Sequence, residues 1–179
     1  MKNWNVVISV FQDGFRRALR ALRALGPVER SPYHNVLVMA VEEPLPLLEA
    51  IEKVTEAHPA LYDAIARVAP ASRCFEFHSG EEFLALSRQV ILEWVPRLSG
   101  RSFHVRLHRR GPTLDLKSPE VERHLDEAML SALQEAGAPG HVSFTDPDAV
   151  IVIDTIDDRA GISFWTREDI AQHRLLRPD

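Results

Sequence analysis

A single cysteine, Cys74, is present among the 179 residues of the chain. One cysteine excludes an internal disulfide framework and a cysteine zinc site, and it favours a reducing compartment. No apolar run approaches the roughly 20 residues that a membrane helix needs. The N-terminus also lacks the basic stretch and longer apolar segment of a secretory signal. These absences together predict a cytoplasmic protein without a membrane partner.

Signatures of catalysis are absent as well: there is no glycine-rich phosphate loop, no nucleophile elbow and no His-Glu-x-x-His zinc helix. His104 and His108 share one face of a predicted strand but lie about 13 Å apart, too far to bind one metal ion. Asp157 and Asp158 suit a turn better than acid–base catalysis. Asp154 lies in an apolar strand, where it either points outward or pairs with a buried arginine. We therefore predict no enzyme activity, no catalytic residue, no metal site and no cofactor.

Charge is distributed unevenly along the chain, whose net charge is −5. Between residues 101 and 124 there are six Lys/Arg and three Asp/Glu, so this segment carries +3 and the remainder carries −8. Such a basic segment on an acidic protein indicates a local surface for a polyanion. A solvated charged face produces the same pattern, and that reading is favoured for the arginines of the first predicted helix.

The first 78 residues alternate between strand and helix patterns. β-branched and aromatic residues predict a strand at 4–11, and leucines at helical spacing predict a helix that Gly26 and Pro27 end. The elements expected next are a buried strand at 35–41, helical stretches from 47 to 68 and a short strand at 74–78. This β-α-β-α order with a last short strand resembles a ferredoxin-like unit, so we predict an N-terminal ferredoxin-like domain at residues 1–78.

A second domain is predicted at residues 79–179, which makes the fold class α+β. Ser79 with Glu82 forms a capping-box signature for its first helix. The elements that follow are a strand at 102–110, a helix at 118–136, a short strand at 141–144, and a hairpin of strands at 149–156 and 162–165. Ser118 suits the N-cap of the second helix and Pro119 its first turn.

The strand at 102–110 carries the clearest indication of function. Apolar and polar residues alternate along it, which places its histidines and Arg106 on the face away from the core. Arg109 and Arg110 follow at the end of the strand, and Gly111 begins a loop. Cations that leave a strand together can meet the phosphates of a nucleic acid.

Three segments, in this order, resemble the THUMP domain, which is named for thiouridine synthases, RNA methylases and pseudouridine synthases. They are FHVRLHRRG at 103–111, LKSPEVERHL at 116–125 and TDPDAVIVIDTI at 145–156. The chain is most similar to the stand-alone THUMP protein that assists the tRNA cytidine acetyltransferase. In that group the domain is not fused to a catalytic one, and we expect no further domain after Asp179.

The resemblance implies binding of tRNA, at its acceptor end, by the THUMP unit with a ferredoxin-like domain before it. Carried over by position, it implies the RNA-binding residues Arg106, His108, Arg109, Arg110, Gly111, Lys117, Ser118 and Arg123. Arginine forks match phosphate oxygens, and the amides at the start of a helix offer another phosphate site. For Arg123 an ion pair with a glutamate of its own helix is an equal alternative.

The sequence thus predicts an RNA-binding protein, a tRNA-binding adaptor that presents tRNA to a separate RNA-modifying enzyme. An acetyltransferase is one candidate partner, and DNA is not expected to bind. The alternative is a protein–protein adaptor that keeps the THUMP fold but no longer binds RNA, which the charge of −8 outside the basic segment favours. A small RNA-modifying enzyme is the least favoured hypothesis, because no cofactor loop or nucleophile is found.

Overall fold

The computed structural model of the protein describes residues 1–178, so Asp179 of the predicted second domain lies outside the described residues. The described chain divides into two compact units, Met1–Ser72 with Gln172–Arg177, and Arg73–Ala171 with Pro178. The sequence placed its boundary after residue 78 and did not assign 172–177 to the first unit. Each unit combines helices with one sheet, and the predicted α+β fold class is confirmed.

The first unit contains, in chain order, β1 (Val6–Val10), α1 (Phe15–Arg23), β2 (Val28–Arg30), β3 (Val36–Met39), α2 (Pro44–Ala57) and β4 (Ile65–Pro70). Its antiparallel sheet has the strand order β2-β3-β1-β4. Helix α1 buries Ala18, Leu19 and Leu22, and α2 buries Leu47, Leu48 and Ile51. The order β-α-β-β-α-β is that of the ferredoxin-like motif.

Two strands differ from the predicted elements of the first 78 residues. Strand β2 was missed because Glu29 and Arg30 are exposed and only Val28 is apolar, so no strand pattern is visible. The predicted strand at 74–78 exists as β5 (Arg73–Glu76), but it belongs to the second unit and pairs with a strand of that unit's sheet. Pairing between segments far apart in sequence leaves no local signal.

The C-terminal segment 172–177 contributes to the first unit. Glu52 on α2 binds it twice: its Oε2 lies 2.8 Å from His173 Nδ1, and its Oε1 accepts from the amide of Leu175 at 3.3 Å. The carbonyl of Leu175 in turn accepts from the amide of Val68 in β4 at 2.8 Å. The last turn of the chain is therefore part of the fold of the first unit.

The second unit contains β5, α3 (Gly80–Leu92), β6 (Ser102–His108), α4 (Ser118–Glu135), β7 (His141–Val142), β8 (Ala149–Ile156) and β9 (Arg159–Thr166); α5 (Arg167–Gln172) follows. Its sheet has the order β5-β9-β8-β6-β7. Strand β6 runs parallel to both β7 and β8, whereas β9 is antiparallel to β5 and β8. The predicted sequence of helix, strand, helix and further strands is what the structure has.

The two helix starts of this unit turn out differently. Ser79 caps α3, because its Oγ accepts from the amide of Glu82 at 3.1 Å while the Glu82 carboxylate accepts from the amide of His78 at 2.7 Å. Ser79 is confirmed as the N-cap, whereas the Glu82 carboxylate reaches back to the amide of His78, one residue before the cap. The predicted N-cap role of Ser118 is wrong: Lys117 is the N-cap of α4, without a side-chain cap, and Ser118 is the first helical residue.

The core of the second unit lies between its sheet and the two long helices. Phe77 and Phe83 pack edge to face with ring centroids 5.0 Å apart, and both are fully buried. Phe103 and Ile151 on the sheet and Leu125 on α4 are also fully buried. No helix of residues 1–178 is long and apolar enough to cross a membrane.

Candidate nucleic-acid interface

The end of β6 lies beside the end of β8, because the two strands are parallel. His108 is in register with Asp154, and the chain continues from β6 into the loop that leads to α4. The predicted site residues therefore start at one edge of the sheet and continue onto the first turns of α4. In the structure they fall into three groups: arginines that lie against carboxylates, residues that pack within the protein, and cations at the surface.

Arg110 is engaged in an ion pair beneath the surface. Its Nη1 lies 3.0 Å from Oδ1 of Asp154, whose side chain is 5% exposed. The amide of Arg110 donates to Thr155 Oγ1 at 3.1 Å, and its carbonyl accepts from the amide of Asp157 at 2.9 Å. Of the two alternatives for Asp154, the structure has the one with an arginine partner. This guanidinium compensates a buried carboxylate, so the Arg110 of the predicted cationic surface is committed to the fold.

Arg106 is also drawn toward a carboxylate, with its Nη1 3.8 Å from Glu122 Oε1 on α4. The same Glu122 oxygen accepts from the amide of Leu107 at 2.8 Å. One turn further along α4, Asp126 Oδ1 accepts from the amide of Val105 at 2.9 Å. The predicted face with Arg106 is thus partly covered by acidic side chains of α4.

These α4 carboxylates take the place of a missing strand. Strand β7 pairs with β6 only at Ser102 and Phe103, so the amides further along β6 have no strand partner on that side. Four helical residues rise about 6 Å and two strand residues about 6.7 Å. Carboxylates four apart on the helix therefore match amides two apart on the strand. Burial raises the pKa of Asp126 to about 7, with the hydrogen bond from Val105 lowering it and the charges of Glu122 and Glu127 raising it.

His108 and Gly111 also make close contacts within the protein. The Nε2 of His108 lies 2.8 Å from the carbonyl oxygen of Pro178. Gly111 has φ +113°, and a Cβ there would lie 2.7 Å from Cα of Asp157 in the turn between β8 and β9. Only glycine combines this backbone conformation with so close an approach. The sequence found both positions through the family resemblance, and the structure gives each a packing role.

Three predicted cations lie at the surface, namely Arg109, Lys117 and Arg123. Arg109 Nη1 donates to the carbonyl of Leu114 at 2.8 Å, which ties its side chain to the loop that precedes α4. Within residues 1–178, Lys117 and Arg123 make no side-chain hydrogen bond or ion pair, so the alternative ion pair of Arg123 with its own helix is not formed. With the half-buried Ser118 at the helix start, Arg109 and Lys117 form what we call the β6-exit surface. Arg123 lies outside it, in a groove that Glu122, Asp126 and Glu127 also line.

The sequence missed a second pair of surface cations at the opposite end of the same sheet. Arg97 and Arg101 line a cleft of about 390 Å³ beside the starts of β6 and β8. Arg101 entered the sequence argument only as part of the charge of residues 101–124, and Arg97 lies outside that segment. The cleft between them also needs Phe164, more than 60 residues further along the chain, which contacts Arg97, so no local pattern could have revealed it. The described residues contain no group of three His, Cys, Asp or Glu that could hold a metal ion.

Residues 79–164 match the THUMP domain family, in agreement with the resemblance on which the sequence interpretation depends. None of the curated proteins is a match to this sequence. The fold is similar to that of PH1313 from Pyrococcus horikoshii Ot3, with 16% identity, a TM-score of 0.62, and coverage of 89% of this chain and 53% of that one.

Two further solved structures have a similar fold. TrmN from Thermus thermophilus has 22% identity and a TM-score of 0.58, with 89% of this chain and 44% of that chain covered. A 4-thiouridine synthetase, solved with RNA and bound ATP, has 17% identity and a TM-score of 0.57, with 89% and 40% covered. The chain spans about half or less of the length of these proteins, and at these identities the likeness concerns the fold.

Proposed function

We propose that this chain, whose residues 79–164 form a THUMP domain, is a cytoplasmic RNA-binding protein that binds tRNA and presents it to a separate RNA-modifying enzyme. The observation that carries the proposal is the family match, since it includes the loop and helix start where the exposed cations Arg109 and Lys117 lie. The 4-thiouridine synthetase with a similar fold was solved with RNA, which supports the same ligand class here.

The β6-exit surface is suited to a phosphate backbone. Arg109 is held by the carbonyl of Leu114 through one guanidinium nitrogen, which leaves the rest of its donor fork exposed. Lys117 adds a second positive charge at the start of α4, where the helix amides also favour an anion. Arg106, His108, Arg110 and Gly111 act indirectly in this proposal, by holding the strand end, the loop and α4 in place.

The finer parts of the proposal come from the family resemblance: the acceptor end of tRNA as the bound region, and an acetyltransferase as one candidate partner enzyme. The same resemblance supports the division of tasks in this proposal, because the stand-alone THUMP proteins are not fused to a catalytic domain. In this proposal the chain binds and positions the RNA, and the partner carries out the chemistry.

The test is tRNA binding by filter retention or mobility shift across a range of salt concentrations. Lys and Arg contacts release counterions, so affinity should fall steeply as salt rises, by about 0.7–0.9 in the log–log slope for each phosphate contacted. The double variant Arg109→Ala/Lys117→Ala should bind at least about 10-fold more weakly. Arg88→Ala, at an exposed arginine of α3, is the matched control. Equal binding by the double variant and the control would contradict the assigned surface.

The alternative, a protein–protein adaptor that does not bind RNA, is favoured by a different surface. The side chain of Phe144 is 68% exposed beside an apolar groove of about 400 Å³, and its ring lies 5.4 Å from that of His104. The groove is lined by Pro119, Glu122, Arg123, Asp126, Glu127, Leu130, Val142 and Phe144. Three carboxyl groups against one guanidinium make this groove unfavourable for a polyanion.

The two functions are distinguished by what each variant loses. If the chain is only a protein adaptor, the wild type gives no RNA shift at low salt, and Phe144→Ser weakens the association with a purified partner enzyme. Phe11→Ser, which changes the exposed phenylalanine of the first unit, is the control. A tRNA complex that Phe144→Ser leaves intact and Arg109→Ala/Lys117→Ala destroys would favour the RNA-binding function.

A further inference from the structure

A cleft lies at the end of the second sheet that is remote from the β6-exit surface. It opens beside the 3-10 turn Val95–Leu98 and the starts of β6 and β8, and its volume is about 390 Å³. It is lined by Pro96, Arg97, Ser99, Arg101, Asp148, Ala149, Phe164 and Thr166. Strand β6 has seven residues, so about 20 Å separates this cleft from the β6-exit surface.

The guanidinium of Arg97 lies over one of two aromatic rings in contact. It lies 4.1 Å from the ring centroid of Phe164, whose ring lies 5.5 Å from that of the largely buried Trp94. This cation–π contact holds the guanidinium against the cleft wall. In the part of the chain that the structure describes, none of its N–H groups has a hydrogen-bond acceptor, so the donors and the outer face are open to a ligand.

The one carboxylate of the cleft is already satisfied by the protein. Asp148 Oδ2 accepts from the amide and the hydroxyl of Ser102 at 2.9 and 3.0 Å, and its Oδ1 lies 3.2 Å from Arg167 Nη1. These hydrogen bonds, with the charges of Arg167 and Arg101, hold the pKa of Asp148 below its usual value. Arg167 also pairs with Asp146 at 2.8 Å. Asp148 is therefore not available to occupy the guanidinium of Arg101.

Positive charge is in excess at the cleft. Among the residues that line it, two guanidinium groups, those of Arg97 and Arg101, stand against the one carboxylate of Asp148. Arg101 is exposed and, among residues 1–178, donates no side-chain hydrogen bond. Arg106 and Arg110 differ from Arg101 in this respect, because each lies against a carboxylate, that of Glu122 or Asp154. Arg97 and Arg101 are thus available to a ligand although the sequence did not single them out.

We propose that this cleft is a second RNA site, which binds a phosphate group of a single-stranded segment through Arg101 and stacks the adjoining base on the open face of Arg97. Guanidinium planes and aromatic rings are the surfaces on which unpaired RNA bases stack. The inference rests on the proposed RNA-binding function and extends it to a site outside the predicted residues. Contacts at two sites about 20 Å apart on one RNA strengthen each other through their high effective concentration.

The experiment measures tRNA affinity of the full chain as a function of salt for Arg101→Glu, Arg97→Ala and Arg97→Lys, with Arg88→Glu and Arg88→Ala as controls of matched charge change. We expect Arg101→Glu to weaken binding about 10-fold more than Arg88→Glu, and to lower the salt slope by about one contact. Arg97→Lys keeps the charge but loses the planar face, so its affinity for an unstructured oligonucleotide should fall although its charge is unchanged. The thermal midpoint of each variant verifies that these exposed positions leave the fold intact.

Each outcome separates the cleft from the β6-exit surface. If Arg97 and Arg101 variants bind tRNA as the Arg88 controls do while Arg109→Ala/Lys117→Ala loses binding, the cleft is not an RNA site and the proposed function stands. If Arg97→Lys binds an unstructured oligonucleotide as the wild type does, the stacking part is overturned. If the wild type binds no tRNA at low salt, the proposed function fails and the RNA assignment of the cleft fails with it.

Discussion

The carboxylate of Asp126 accepts a hydrogen bond of 2.9 Å from the backbone amide of Val105. Here a helix side chain accepts the hydrogen bond that a neighbouring strand accepts elsewhere in the sheet, because β7 ends before it reaches this part of β6. Glu122 repeats the contact at Leu107. The edge of β6 thus depends on two acidic side chains, which give α4 a fixed position beside the strand. The raised pKa of Asp126 connects the stability of the sheet to pH.

Stability should fall as pH rises through neutrality, because Asp126 loses a proton that the folded state favours. Its pKa is about 7 in the fold against 3.8 in the unfolded chain, chiefly through burial. Its contribution to the free energy of unfolding is therefore complete below about pH 4 and is lost between there and pH 7, on the order of 4 kcal/mol.

Asp126→Asn tests this dependence, because the amide oxygen can still accept from Val105 while nothing titrates. The stability difference between the variant and the wild type, from urea unfolding, should favour the variant more at pH 8 than at pH 5. A difference that is the same at both pH values would contradict the proposed ionisation.

Glu122→Ala should destabilise the protein by about 1–3 kcal/mol, since it leaves the amide of Leu107 without its acceptor. Glu122→Gln retains an acceptor oxygen and should cost clearly less. Glu127→Ala, at an exposed glutamate of the same helix, is the control for loss of an acidic residue from α4. Urea unfolding at one pH is sufficient, and equal stability of the Ala and Gln variants would argue against the strand-capping role.

Arg110→Ala should lower stability by at least about 2 kcal/mol, because the buried carboxylate of Asp154 would lose the guanidinium 3.0 Å away. The double variant Arg110→Ala/Asp154→Asn also removes the buried negative charge and should recover part of the loss. Thermal unfolding of the three proteins gives the comparison. A neutral Arg110→Ala would show that Asp154 finds another partner, and Arg110 would then return as a candidate RNA contact.

Gly111→Ala should destabilise more than Gly137→Ala, although both glycines have positive φ, +113° and +70°. At Gly137 nothing lies within 4 Å of an added Cβ, whereas at Gly111 it would meet Cα of Asp157 at 2.7 Å. We expect about 1 kcal/mol at Gly137 from backbone conformation alone and about 2 kcal/mol or more at Gly111. Equal losses would mean that the loop shifts away from the turn without cost.

Local patterns predicted what depends on local chemistry. The spacing of Ser79 and Glu82 gave the start of α3, and the alternation of 102–110 gave β6, because capping and pleating involve residues that are close in sequence. The start of α4 was displaced by one residue, since Ser118-Pro119 fits either an N-cap or a first helical turn.

The sequence could not show which arginines are occupied. Arg110 meets Asp154 across 44 residues, and Val105 meets Asp126 across 21. Both contacts depend on the pairing of β6 with β8 and on the packing of α4, which are properties of the assembled sheet. A basic run in a sequence therefore gives the number of cations at a strand end but not the number that remain available to a ligand.

The return of residues 172–177 to the first unit affects the order in which the molecule can mature on the ribosome. The contacts of Glu52 with His173 and Leu175 cannot form until these two residues have been synthesised, after residues 73–171 of the second unit. The N-terminal unit is therefore completed only when residues 172–177 have been made, and the nascent chain exposes the corresponding surface of α2 and β4 until then. A fragment that stops before Gln172 lacks these contacts permanently, and it should be a better substrate for proteases and chaperones than the full chain.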